Sequence, residues 1–286
     1  MTMHEIIEAL DAMFGTPCSR MARRAGRDGE GSMRHPVGAI ALLATVALLG
    51  GGSLLGLAAF LFHGSFEVID LGLGRAGGLA WDGALALAFS AQHSGMIRGP
   101  VRRLLDGFLP GHLFGVFFAV ASGLVLVLLL LLWQRSSLGA VSVPAPWRWG
   151  LRAGCFLALG GFAWAARSLG SLDPLGIQPV LDRLAARRAR PLQLVVRGPY
   201  RWVRHPIYLF TLVLLWSCPD PTADRLLLNV LWSVWIVLAT RLEERDLEAV
   251  FGEHYRAYRR EVPRLVPKRL RPVPERVAAA DPAGWR

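Results

Sequence analysis

The sequence predicts an all-α protein, a polytopic membrane helix bundle of about six transmembrane segments. The last two segments read as a helical hairpin that runs on into a cytoplasmic helix. Three observations carry this. The chain has 286 residues, 53% of them hydrophobic, with mean hydropathy +0.39, too apolar for a water-soluble chain of this length. Several apolar runs approach the roughly 20 residues needed to cross hydrocarbon. Arginine clusters flank those runs, as expected of loops sorted by the positive-inside rule.

Net charge is +11, almost all from Arg. The arginines sit beside apolar runs, so the charge points to membrane lipids rather than to nucleic acid. Cys18, Cys155 and Cys218 are far apart and form no CxxC, which argues against a structural zinc site or a disulfide framework, and no metal is expected.

Residues 1–36 are polar: Ile6 to Phe14 reads as a short amphipathic helix and Gly26 to Ser32 as disorder. Met33-Arg-His-Pro, directly before the first apolar run, has the look of an alternative start of translation. The first span is Val37 to His63, with Gly50-Gly51-Gly52 inviting a kink or close helix packing. The second, Gly78 to Met96, carries Asp82 near one end and Gln92-His93-Ser94 near the other, with Arg98, Arg102 and Arg103 beyond. The third is His112 to Trp133, and the fourth, after a Pro-rich loop, Trp149 to Leu169. A basic polar stretch runs from Ser171 to Arg204. The hairpin then rises over Ile207 to Cys218, turns at Pro219 to Asp224, and returns over Leu226 to Thr240. Asp224 is placed to cap the returning helix. The helical pattern continues through Arg241 to Gly252, and residues 268–286 read as a disordered basic tail.

With six crossings the strongly basic segments all fall on one side, which predicts cytoplasmic termini in a bacterial inner membrane. The same topology brings Gln92-His93-Ser94, Ser171 to Gly176, Arg204-His205 and Glu243-Glu244 to the cytoplasmic ends of spans, and so to one site.

The densest polar island is Arg197 to Tyr208. Gly198-Pro199 makes a turn, and Pro206 suits the first position of a helix. His205 therefore stands at a helix mouth, where free N–H groups and the dipole favour an anion. Glu243 and Glu244 end an apolar helix, where a carboxylate is costly unless paired. Glu244, Leu247, Phe251, Tyr255 and Tyr258 share one helix face, and Glu243 points about 100° away.

These residues carry a resemblance. Gly198-Pro-Tyr-Arg-Trp-Val-Arg-His-Pro-Ile-Tyr208, then Leu242-Glu-Glu-Arg-Asp-Leu247, Phe251-Gly252, Tyr255, Tyr258 and Val262-Pro263, resemble the C-terminal signature of the integral membrane methyltransferases. That superfamily includes the isoprenylcysteine carboxyl and phospholipid methyltransferases. Upstream, Ala91-Gln-His-Ser-Gly-Met-Ile-Arg98 and Leu172-Asp-Pro-Leu-Gly176 resemble segments of its methanethiol S-methyltransferase branch, near the NnrU-like proteins. The chain departs from that branch at Gly111-His112-Leu113 and at Arg167-Ser168.

The resemblance implies a methyltransferase domain over residues 37–267, with S-adenosyl-L-methionine held by residues 195–265. Carried over residue by residue, Gly198, Pro199, Tyr200, Arg204, His205, Pro206, Tyr208, Glu243 and Glu244 would line the cofactor. His205, Glu244 and His93 are the catalytic candidates. The implied acceptor is a small thiol such as methanethiol; alternatives are an isoprenylcysteine, a phospholipid or another lipophilic acceptor. A non-catalytic NnrU-like protein and a sterol-reductase-like enzyme are the competing classes. Ile207 and Phe210 depart from the reductase pattern.

Overall fold

The computed structural model describes residues 36–136, 143–170, 173–185, 187 and 193–279. The expected N-terminal helix and the Met33 start lie outside them. Helices fall on all six stretches read as spans. α1 (Pro36–Thr45) and α2 (Gly52–His63) form one rod, joined by a π-helical turn at Val46–Gly51. The glycine interruption is thus a widened turn inside a continuous helix. It packs against α5 (Phe114–Leu132), where a Cβ on Gly123 would come within 2.2 Å of the Leu49 carbonyl oxygen. α3 (Gly74–Met96) packs between α5 and α9 (Ala223–Glu261). α6 (Ala145–Leu169) packs against α8 (Pro206–Trp216). The short helices α4 (Gly99–Asp106) and α7 (Gln178–Leu184) lie in the connections.

Among the described residues, three stretches are long and apolar enough to cross a membrane: Ala41–His63, Gly111–Leu132 and Ala223–Glu261. Large apolar side chains on the flanks of the bundle, such as Leu55, Leu124, Phe156, Leu157 and Val234, are exposed. Such a surface suits lipid rather than water. α3 and α6 have the length but a more mixed composition, with Arg75 and Asp82 in one and Arg148, Arg152 and Arg167 in the other. α8 has 11 residues and rises about 16 Å, half the hydrocarbon thickness. Its main packing partner is α6, whereas α9 packs on α3.

Asp224 does not cap α9. Its Oδ2 accepts from Trp133 Nε1 at 2.9 Å and its Oδ1 from the Ser136 backbone at 3.0 Å, tying the start of α9 to the end of α5. Nearby, Arg225 donates to the Phe60 and Leu61 carbonyls and Arg152 to that of Phe62. The Leu61 and Phe62 carbonyls belong to the last turn of α2, which leaves them without intrahelical donors, while that of Phe60 also accepts from the Gly64 backbone N–H at 2.9 Å.

α9 is not one straight helix. Its apolar part, Ala223 to Thr240, rises about 27 Å. The polar part breaks at Gly252, with φ 52° and ψ −125°. That backbone is closed to residues with a Cβ. Gly252→Ala is expected to cost about 1–3 kcal/mol, read as a lowered thermal midpoint in detergent.

The bundle is all-α, as expected, apart from one short two-stranded ribbon whose second strand falls in the stretch read as a disordered tail. β1 (Gln193–Val196) pairs antiparallel with β2 (Arg276–Ala279), so residues before the polar island meet residues after α9. Trp202 Nε1 donates to the Leu270 carbonyl at 3.0 Å, and the Val273 backbone N–H donates to that of Arg201 at 3.2 Å. The first part of the tail is a strap across the island.

Candidate active site

The island begins with a 3₁₀ turn, Gly198–Arg201, seated on the end of α6. Gly198 has φ 50°, and a Cβ there would lie 2.0 Å from Ser168 Oγ. Position and backbone together require glycine. Pro199 and Tyr200 are buried in this seat. The Tyr258 hydroxyl donates to the Tyr200 carbonyl at 2.6 Å, locking the turn to the last helical segment of α9.

Two backbone bonds continue the seam. Arg204 N–H donates to the Pro263 carbonyl at 2.9 Å and His205 N–H to that of Arg264 at 3.1 Å. α8 then starts at Pro206, as the sequence predicts, and its first helical bond runs from Leu209 N–H to the His205 carbonyl at 3.0 Å. The chain before α8 and the chain after α9 are thus held side by side.

Glu244 is the centre of this seam. Its Oε1 accepts from Arg204 Nε at 2.8 Å and Nη2 at 2.5 Å, and faces His205 Nε2 at 3.3 Å. Its Oε2 accepts from Arg264 Nε at 3.0 Å and Nη2 at 2.7 Å. Glu244 and Arg204 are both buried, at 4% and 7% side-chain exposure. Burial alone would raise the Glu244 carboxyl, but the hydrogen bonds from His205, Arg264 and Arg204 outweigh it. They hold it well below the usual carboxylate range, so it stays ionised. Arg204 also donates through Nη1 to the Arg259 and Val262 carbonyls, capping the end of α9.

Glu243, one residue earlier, is in a different position. Its Oε2 lies 3.8 Å from His205 Nδ1, and it hydrogen-bonds Tyr208. No arginine clamps it among the described contacts. Tyr208 lies against His205, with ring centroids 5.7 Å apart. Arg98 acts electrostatically on both Tyr208 and Asp246. Burial raises the Asp246 carboxyl, and Arg98 partly offsets that. Burial and then Glu244 push the Tyr255 phenol up beside Arg204.

The structure therefore brings together Gly198, Pro199, Tyr200, Arg204, His205, Pro206, Tyr208, Glu243 and Glu244. His93 stands apart from them. Its Nδ1 lies 3.3 Å from Ser122 Oγ, and its ring packs against Phe89 and Phe118, at the α3–α5 contact. Arg264 and Asp246 are the residues that sequence reasoning missed. Arg264 directly follows the Val262-Pro263 pair, and Asp246 lies inside the Leu242 to Leu247 motif, so position was a signal for both.

A buried, ionised carboxylate node thus sits beside a less constrained glutamate and tyrosine, where the apolar part of α9 gives way to its polar part. No family model and no solved structure matches the chain. Curated proteins do. Methanethiol S-methyltransferase of Pseudomonas sp. strain GM41 is 36% identical over 201 residues, 67% of this chain and 76% of that protein. Methanethiol S-methyltransferase of Pseudomonas deceptionensis is 32% identical over 210 residues, 70% and 78%. Nurim of Rattus norvegicus is 28% identical over 184 residues, 59% and 68%. The protein is a membrane methyltransferase of the isoprenylcysteine carboxyl methyltransferase-like superfamily. Within that superfamily, the chain belongs to the methanethiol S-methyltransferase family.

Proposed function

We propose that this protein transfers a methyl group from S-adenosyl-L-methionine to methanethiol, giving dimethyl sulfide. The observation that carries the acceptor is its similarity to methanethiol S-methyltransferases over most of their length. The geometry supports the donor. S-adenosylmethionine supplies, when bound, a methyl group made electrophilic by a sulfonium.

Glu243 fits the cofactor's cationic end, because its carboxylate lacks the arginine clamp that saturates Glu244. The α8 N-terminus at Pro206 presents free N–H groups to a carboxylate. Tyr208 offers an aromatic face to a cation. Glu244 and Arg204 are positioning residues: they hold His205 and the α8 mouth against the chain after α9. Their expected parts in catalysis and in direct cofactor contact give way to this one. Gly198, Pro199 and Tyr200 shape the turn behind His205.

The membrane reading extends to six crossings with both termini in the cytoplasm of a bacterial cell. α8 and α9 form a shallow hairpin, and the basic loops face inward. The site then opens where a soluble cofactor is available.

Isothermal titration of the purified protein in detergent with S-adenosylhomocysteine is expected to give saturable one-to-one binding. Methanethiol with labelled S-adenosylmethionine is expected to give volatile labelled dimethyl sulfide, and prenylcysteine and phosphatidylethanolamine no labelled product. Absence of S-adenosylhomocysteine binding would sink the donor assignment, and labelled lipid in place of dimethyl sulfide would move the acceptor to the lipophilic class.

A further inference from the structure

We infer that the acceptor thiol binds in a hollow walled by α3, α5 and α9, and that His93 takes its proton there. The inference rests on the proposed S-methylation and supplies the half of the site that the Glu244 seam lacks. Six side chains define the place. His93 stacks on Phe89 with centroids 5.3 Å apart and lies 5.0 Å from Phe118. Phe89 meets Trp232 of α9 at 5.4 Å. Ser122 Oγ lies 3.3 Å from both His93 Nδ1 and Gln92 Nε2.

One feature points to a ligand: Gln92 Oε1 and Trp232 Nε1 are covered and have no hydrogen-bond partner among the described residues. In an apolar bundle, an unmet acceptor and an unmet donor each cost free energy. A thiol sulfur answers the indole, since it accepts from an N–H as thiol and more strongly as thiolate. Aromatic rings on the remaining walls suit a group as small and apolar as methyl.

His93 is equipped for the proton. A Ser122 hydroxyl accepting from Nδ1–H leaves Nε2 as the lone-pair nitrogen. The thiol S–H bond breaks, its proton forms an N–H bond at Nε2, and the electron pair stays on sulfur. The resulting thiolate is the nucleophile. After transfer, the imidazolium returns the proton to water. Arg98, just past the end of α3, acts electrostatically on Tyr208 and Asp246.

The test uses the full chain in detergent with three readouts: titration of S-adenosylhomocysteine, titration of methanethiol in its presence, and turnover with methanethiol against methaneselenol. A selenol ionises near neutral pH and needs no base. In His93→Gln, S-adenosylhomocysteine affinity is expected to stay within threefold of wild type. Methanethiol turnover is expected to fall about 100-fold or more, in line with loss of a general base. Methaneselenol turnover is expected to fall less than fivefold. Ser122→Ala, a smaller change, should show the same pattern at about tenfold. Trp232→Phe should weaken methanethiol binding about tenfold. Equal losses with both acceptors, or methanethiol turnover within threefold of wild type in His93→Gln, overturn the inference. A wild-type chain that binds no S-adenosylhomocysteine defeats the donor reading instead, a distinguishable result.

Discussion

Glu244→Gln is expected to destabilise the fold by about 3–5 kcal/mol, the usual cost of removing one partner from a buried ion pair. The substitution keeps shape and removes charge. It leaves Arg204, at 7% side-chain exposure, without its counter-ion and with only carbonyl acceptors. Arg264 is about one-third exposed and loses less, because water can solvate it. For a chain of this size the drop corresponds to roughly 10 °C in thermal midpoint. Detergent-solubilised protein, followed by a thermal shift assay and by size-exclusion profile, reads it directly. A midpoint within about 2 °C of wild type would show that the node does not hold the α8 mouth to the end of α9. Since five nitrogens face its two oxygens, this glutamate is an improbable proton carrier, and its loss should act through folding.

Glu243→Gln should do the reverse. Its side chain is 17% exposed and lacks an arginine clamp, so the midpoint should move by less than about 2 °C. If Glu243 pairs with the cofactor's cationic end, S-adenosylhomocysteine affinity should fall about 10- to 100-fold. That matches the roughly 1.5–3 kcal/mol of a charge-assisted hydrogen bond. Titration and thermal shift on the same preparation separate the two neighbours. Unchanged affinity in Glu243→Gln would remove it from the cofactor site.

Much of this layout was legible. Apolar run length marked the helices, and Pro206 marked the start of α8, because each signal is local. The ordered motif from Gly198 to Pro263 marked the residues that meet, although not their division of labour. Glu243 and Glu244 look alike in sequence. Which of them enters the Arg204–Arg264 clamp depends on how α9 is rotated against α8, a tertiary fact. His93 was read as a catalytic candidate of the same site because topology brings its helix end to the same boundary. The rotation of α3 instead turns its ring to Ser122. β2 escaped notice because its strand is short and sits in an Arg- and Pro-rich tail, where composition argues for solvation. Gly252 was visible as part of a motif, but a lone glycine in a helical pattern does not announce a reversed dihedral.

The clamp on Glu244 also has a consequence for biogenesis. Arg204 precedes Glu244 by 40 residues and Arg264 follows it by 20. During synthesis the carboxylate must reach the membrane edge with its first guanidinium present and its second still unmade. Only after Pro263 and Arg264 emerge can the backbone seam close and the β-ribbon zip over it. A chain stopped or nicked before residue 264 keeps every apolar helix but has an incomplete charge node at the bilayer surface. Membrane insertion and native completion are thus separate events for this protein. The last stretch of chain distinguishes a finished molecule from one that quality-control proteases can still recognise.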